Sequence, residues 1–115
     1  MASESIYRFG EVVLVPFPFS DQTASKKRPA VVVSSAAYHA NRADSLIIAI
    51  TSQARTTLDF ATFPVADWQA AGLLKPSFAK PALTTLEQML VIRRMGHLSL
   101  GDQHSLHQML TQILG

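Results

Sequence analysis

Apolar positions gather in short β-branched runs along most of this chain and switch to helical spacing only at its end. Glu11–Phe17 ("EVVLVPF") and Pro29–Ser35 ("PAVVVSS") predict two strands. The second is nearly continuous in valine and alanine, which implies burial on both faces. Pro16 and Pro18 mark the end or an edge of the first, because proline cannot donate to a β-ladder. Leu46–Thr51 ("LIIAIT") predicts a third strand and Asp59–Val65 ("DFATFPV") a fourth. Shorter strands over Ser77–Ala79, Leu83–Leu86 and Met89–Met95 complete the set. Between them, "SAAYHANRAD" fits a short helical turn, and "DWQAAG" one helical turn closed by Gly72. At the C-terminus Leu106, Met109, Leu110 and Ile113 recur at three- and four-residue spacing, and Ser99 with Asp102 forms an N-capping pattern. Many short strands and one terminal helix predict a mainly β (α+β) domain, a strongly bent antiparallel sheet or small barrel.

Composition narrows this picture. The chain has 115 residues, 48% of them hydrophobic and only 16% charged. That length supports one domain over residues 7–115, with residues 1–6 read as a disordered leader. The apolar excess implies burial against a partner, most economically a second copy of the chain. Cysteine is absent, which excludes disulfides and thiolate chemistry, and four scattered histidines offer no metal-ligand spacing; no metal and no cofactor are expected. No apolar run is long enough for a membrane span and the N-terminus has no signal-peptide core, so the expectation is a cytoplasmic protein without a membrane partner. A net charge of +2 leans only mildly towards anionic partners. Anion binding therefore has to come from a local cluster.

That cluster is "SKKRP", where Lys26, Lys27 and Arg28 lead from a polar loop into the second strand. Strands two and three are joined by about ten residues and are expected to pair antiparallel. Placing Ser34 near Ser45 brings Arg28 opposite Thr51 at the far end of the sheet, with His39 at the other end. A guanidinium beside a hydroxyl is a phosphate site in outline: the guanidinium offers a planar fork of donors and keeps its charge at any working pH. Lys26 and Lys27 would add point charges and Ser52 a second hydroxyl. Such a cluster is more often only a solvated face. Arg93 and Arg94 either extend an RNA groove or pair with Glu87 and Asp102, the structural or interface role being favoured; the histidines His97, His104 and His107 are read as solvated, and Trp68 as packing on the sheet. Lys75 and Lys80 are further candidates for phosphate contact.

The stretches "GEVVLVPFPF" (Gly10–Phe19), "KRPAVVVSS" (Lys27–Ser35), "AITSQ" (Ala49–Gln53) and "RRMGHLS…LHQMLTQILG" resemble the MazF/PemK family of bacterial toxin endoribonucleases. The likeness runs from about Phe9 to Gly115. It implies a small SH3-like antiparallel β-barrel with a C-terminal helix, a homodimer, and inhibition by a cognate antitoxin. It also implies metal-independent cleavage of single-stranded RNA by attack of the 2′-hydroxyl. Arg28 and Thr51 map onto the family's catalytic positions, and Lys26, Lys27, Ser52, Gln53, Lys80 and Phe19 become expected RNA contacts. Two features depart from the pattern of some members: "SFAKPAL" (Ser77–Leu83) holds Lys80 but no Arg/Asp pair, and residues 18–27 hold no histidine. Two other functions stay open on the sequence, a gyrase-poisoning toxin of the same fold and an inactive relative that only binds RNA or a partner.

Overall fold

The computed structural model describes residues 7–16, 26–53 and 59–115. Its centre is a six-stranded, fully antiparallel sheet in the order β4-β5-β3-β2-β1-β6. The strands are β1 (Glu11–Pro16), β2 (Lys27–Val32), β3 (Asp44–Thr51), β4 (Phe63–Pro64), β5 (Phe78–Glu87) and β6 (Arg93–His97). Helix α1 (Ala36–Asn41) joins β2 to β3, and α2 (Leu100–Leu114) closes the chain. The sheet curls into a half-barrel with α2 against one face, the mainly β architecture expected from the strand-rich pattern. None of the helices among the described residues is long and apolar enough to cross a membrane.

Alternation explains how both faces are filled. Val12, Val31, Ile48 and Ile50 point to the α2 side, where they pack with Leu98, Leu106 and Met109. Their neighbours Val13, Val15, Ala30, Val32, Ile47 and Ala49 point the other way and form a second buried cluster with Leu86. Each fully buried side chain of this kind stabilises the fold by about 1.5–3 kcal/mol. Phe63 and Trp68 pack on the first cluster, whereas Phe60 is 70% exposed.

Several boundaries move from their sequence-based positions, each for a local reason. β2 starts earlier, at Lys27, and ends at Val32, because Ser34 leaves the ladder to serve as a side-chain partner. Its buried Oγ accepts from Leu46 N at 3.0 Å and lies 2.5 Å from Nε2 of the buried His39. The predicted fourth strand shrinks to Phe63–Pro64, since Ala61 turns into the left-handed region at φ 66°. Two predicted strands, Ser77–Ala79 and Leu83–Leu86, are one: β5 runs through "KPA" with a register irregularity, Ile48 facing Leu83 but Ile50 facing Ala79. An irregularity of this kind absorbs Pro81 and bends the strand, which curls the sheet. Residues 88–90 form a single 3-10 turn, so β6 begins only at Arg93. The C-terminal helix is as predicted, capped by Ser99 Oγ accepting from Asp102 N at 3.2 Å. Residues 1–6 and Phe17–Ser25, including the expected leader, lie outside the described residues.

A tight seam fixes the 66–75 segment against β6. Gly72, at φ +82°, sits so close to β6 that a Cβ there would be 2.1 Å from the Met95 carbonyl oxygen. Gly96 meets the same seam from the other side, where an added Cβ would be 2.6 Å from the Ala71 carbonyl. The buried carboxylate of Asp102 holds the start of the segment, accepting from Ala66 N and Asp67 N at 2.9 Å each.

Candidate functional site

The β2–β3 register places the basic cluster. Ala30 pairs with Ala49, Val31 with Ile48 and Val32 with Ile47. The same register, continued past its last pair, would set Pro29 beside Ile50 and Arg28 beside Thr51, on one face at the sheet's end. At this end β1 and β3 finish while β2, β5 and β6 begin, so side chains of both alternations border one cavity.

That cavity has a volume of about 430 Å³. Leu14, Pro29, Ile50 and Met95 form an apolar floor, and Lys26, Lys27, Arg28, Thr51, Ser52 and Gln53 form one wall. Leu74, Lys75, Ser77 and Arg93 complete the lining. Five of the chain's ten Lys and Arg residues therefore line one hollow, and no carboxylate among the described residues does. Arg28 is half-buried, and its Nε is buried with no hydrogen-bond partner among the described residues. Leaving a buried donor unsatisfied costs about 1–3 kcal/mol, so such a group is poised for an acceptor brought from outside. Thr51 Oγ1 accepts a hydrogen bond from Gln53 N at 3.3 Å, which leaves its own O–H proton to donate.

Six of the eight sequence-predicted site residues meet here: Lys26, Lys27, Arg28, Thr51, Ser52 and Gln53. Lys80 does not line the cavity; it sits in the irregular stretch of β5 between Ala79 and Leu83. Phe19 lies outside the described residues. Two more cations line it: Lys75, the further candidate for phosphate contact, and Arg93. Lys75 is anchored by Ser77, whose Oγ donates to the Lys75 carbonyl at 2.8 Å.

Arg93, for which the sequence left both a structural role and an RNA groove, lines the cavity, because β1 pairs Leu14 with Arg93 on one side and with Pro29 on the other. Arg94 takes the structural role in an ion pair with Glu11: its Nε is 2.9 Å from Glu11 Oε2 and its guanidinium lies 5.3 Å from the Tyr7 ring centre. The two arginines pair with consecutive β1 residues, Arg93 with Leu14 and Arg94 with Val13, and so point to opposite sides; the bulge in this ladder lies beyond them, at Met95. The available signal was Met95, which alternation puts on the same side as Arg93.

A family model described as PemK-like, MazF-like toxin of type II toxin–antitoxin systems matches residues 8–114. The chain belongs to this family. Two solved structures show the same fold as this MazF/PemK-like chain. One, an endoribonuclease in complex with its cognate antitoxin from a mycobacterial species, is 16% identical with TM-score 0.70, over 94% of this chain and 92% of that one. The other, the MazE–MazF complex from Deinococcus radiodurans, is 18% identical with TM-score 0.73, over 96% and 98%. No curated protein sequence matches the chain. Membership makes the chain a toxin of the type II toxin–antitoxin class, and toxins of this family are generally endoribonucleases.

Proposed function

We propose that the chain is an endoribonuclease that cuts single-stranded RNA without a metal, as the toxin of a type II pair. What supports this reading is that Arg28 and Thr51 both line one cationic cavity, to which the described residues contribute no carboxylate. RNA supplies its own nucleophile. The 2′-oxygen bonds to the adjacent phosphorus, the P–O5′ bond breaks, and the proton lost from the 2′-hydroxyl is balanced by one gained at the 5′-oxygen. The products are a 2′,3′-cyclic phosphate and a 5′-hydroxyl. Negative charge on the phosphoryl oxygens grows on the way, and fixed donors aimed at them lower the barrier. Arg28 is that clamp and Thr51 donates a second hydrogen bond. A guanidinium holds its proton too tightly to serve as a general base, so the contribution of Arg28 is electrostatic.

The apolar floor and Leu74, which is 91% exposed, give splayed bases a surface to pack on. The described lining offers no carboxylate, imidazole or thiol for a divalent ion. A cognate antitoxin with an acidic, partly disordered segment fits the same positive hollow. A second copy of the chain would cover Met89, Leu90 and Ile92, which are 83%, 49% and 44% exposed in the β5–β6 connection.

The test is incubation of purified protein with mixed single-stranded RNA in chelator, followed by sequencing of the ends. Discrete cuts carrying cyclic phosphate are expected. Intact RNA with gyrase inhibition would point to a gyrase poison, and intact RNA with neither effect to an inactive binder.

A further inference from the structure

The cavity has more cation than one phosphate requires, and its cations stand on two sides. By alternation Arg28 and Thr51 continue the row of Val15, Ala30 and Ala49, away from α2. Arg93 shares the row of Leu14, Pro29 and Ile50, on the α2 side. Two strand spacings, about 9.5 Å, also separate β2 from β6 across β1. Arg93 and Lys75 are exposed, face the same hollow, and have no carboxylate partner among the described residues. The seam of Gly72 against Met95 and Gly96 against Ala71 holds their two segments together. A cation pair built onto a rigid seam, yet lacking any internal counter-charge, is an unfilled anion seat.

We propose that Arg93 and Lys75 form a second phosphate seat, which holds the phosphodiester next to the scissile one on the same RNA strand. This rests on the endoribonuclease reading of Arg28 and Thr51. Arg93 is then a positioning residue: it fixes the register of the strand over the sheet end and does not touch the reacting phosphorus. A substrate with a single phosphodiester would fill only the Arg28 side, so efficient cleavage needs at least two.

The experiment uses the full-length protein and a short RNA spanning its mapped cut site. A 2′-deoxy version, which cannot be cut, reports affinity. Arg93→Gln should weaken binding about tenfold and raise KM by the same factor, with kcat within about twofold of wild type. The slope of log affinity against log salt should flatten by about 0.7, the loss of one single-strand phosphate contact. Arg93→Lys should restore most of the affinity. An uncharged methylphosphonate at the neighbouring linkage should cost the wild type the same tenfold and cost Arg93→Gln almost nothing. Several results would overturn the inference: unchanged affinity in Arg93→Gln, coupling to the scissile phosphate instead of its neighbour, or a loss confined to binding of an acidic peptide. A wild type that leaves all RNA intact removes the endoribonuclease reading itself. A wild type that cuts while Arg93→Gln matches it removes only the second seat.

Discussion

Replacing Gly72 with alanine adds one methyl group, and its geometry says how much that methyl costs. The residue sits at φ +82°, a left-handed conformation that an L side chain adopts at about 1–2 kcal/mol. The new Cβ would also lie 2.1 Å from the Met95 carbonyl oxygen and 2.6 Å from its carbon, so the backbone of β6 has to give way. Overpacking of that kind adds about 1–3 kcal/mol, for a total loss of about 2–5 kcal/mol. In a domain of this size that lowers Tm by about 8–20 °C. Gly101 is the control, since a Cβ there meets only Ser99 Oγ at 4.0 Å and the residue lies in the first turn of α2. Gly101→Ala should stabilise by about 0.5–1 kcal/mol through helix propensity. Urea unfolding of the wild type and both variants decides the matter. If Gly72→Ala unfolds within about 0.5 kcal/mol of wild type, the seam is not the rigid contact described and the placement of Lys75 beside Arg93 loses its support.

Three further outcomes follow from the same structure. Asp102→Ala removes a buried acceptor of two backbone N–H groups and should cost about 3–5 kcal/mol in urea unfolding, with Asp102→Asn intermediate. Ser34→Ala leaves Leu46 N–H and His39 without their shared partner and should cost about 2–4 kcal/mol in stability, yet leave kcat for RNA unchanged because it lies at the opposite sheet end. Thr51→Val keeps the volume and loses the hydroxyl; kcat should fall about tenfold or more with the fold intact by circular dichroism.

How much of this was legible in the chain depends on which contacts a local pattern can encode. The β2–β3 register was readable because a short connection joins the two strands and both carry the alternation of a twice-buried sheet. The capped C-terminal helix was readable for a similar reason, since Ser99 and Asp102 signal its start within four residues. β5 was not, because Pro81 reads as a break whereas the sheet accommodates it as an irregularity that curls the strand. Arg93 was left between a structural role and an RNA groove because its place depends on β6 pairing with β1, strands far apart in sequence, and on a bulge at Met95 that no local pattern announces. The one-row shift from Arg94 to Arg93 decides which arginine enters the cavity and which pairs with Glu11.

The central claim is that the guanidinium of Arg28 grips the scissile phosphate as its charge builds. The most direct measurement is the single-turnover cleavage rate at saturating protein, wild type against Arg28→Ala, with urea unfolding of both as the check on the fold. The account predicts a fall of about 10²–10³ in rate, the cost of losing one donor to the transition state, with Arg28→Lys only partly active. A folded Arg28→Ala protein that cuts RNA at the wild-type rate would contradict it.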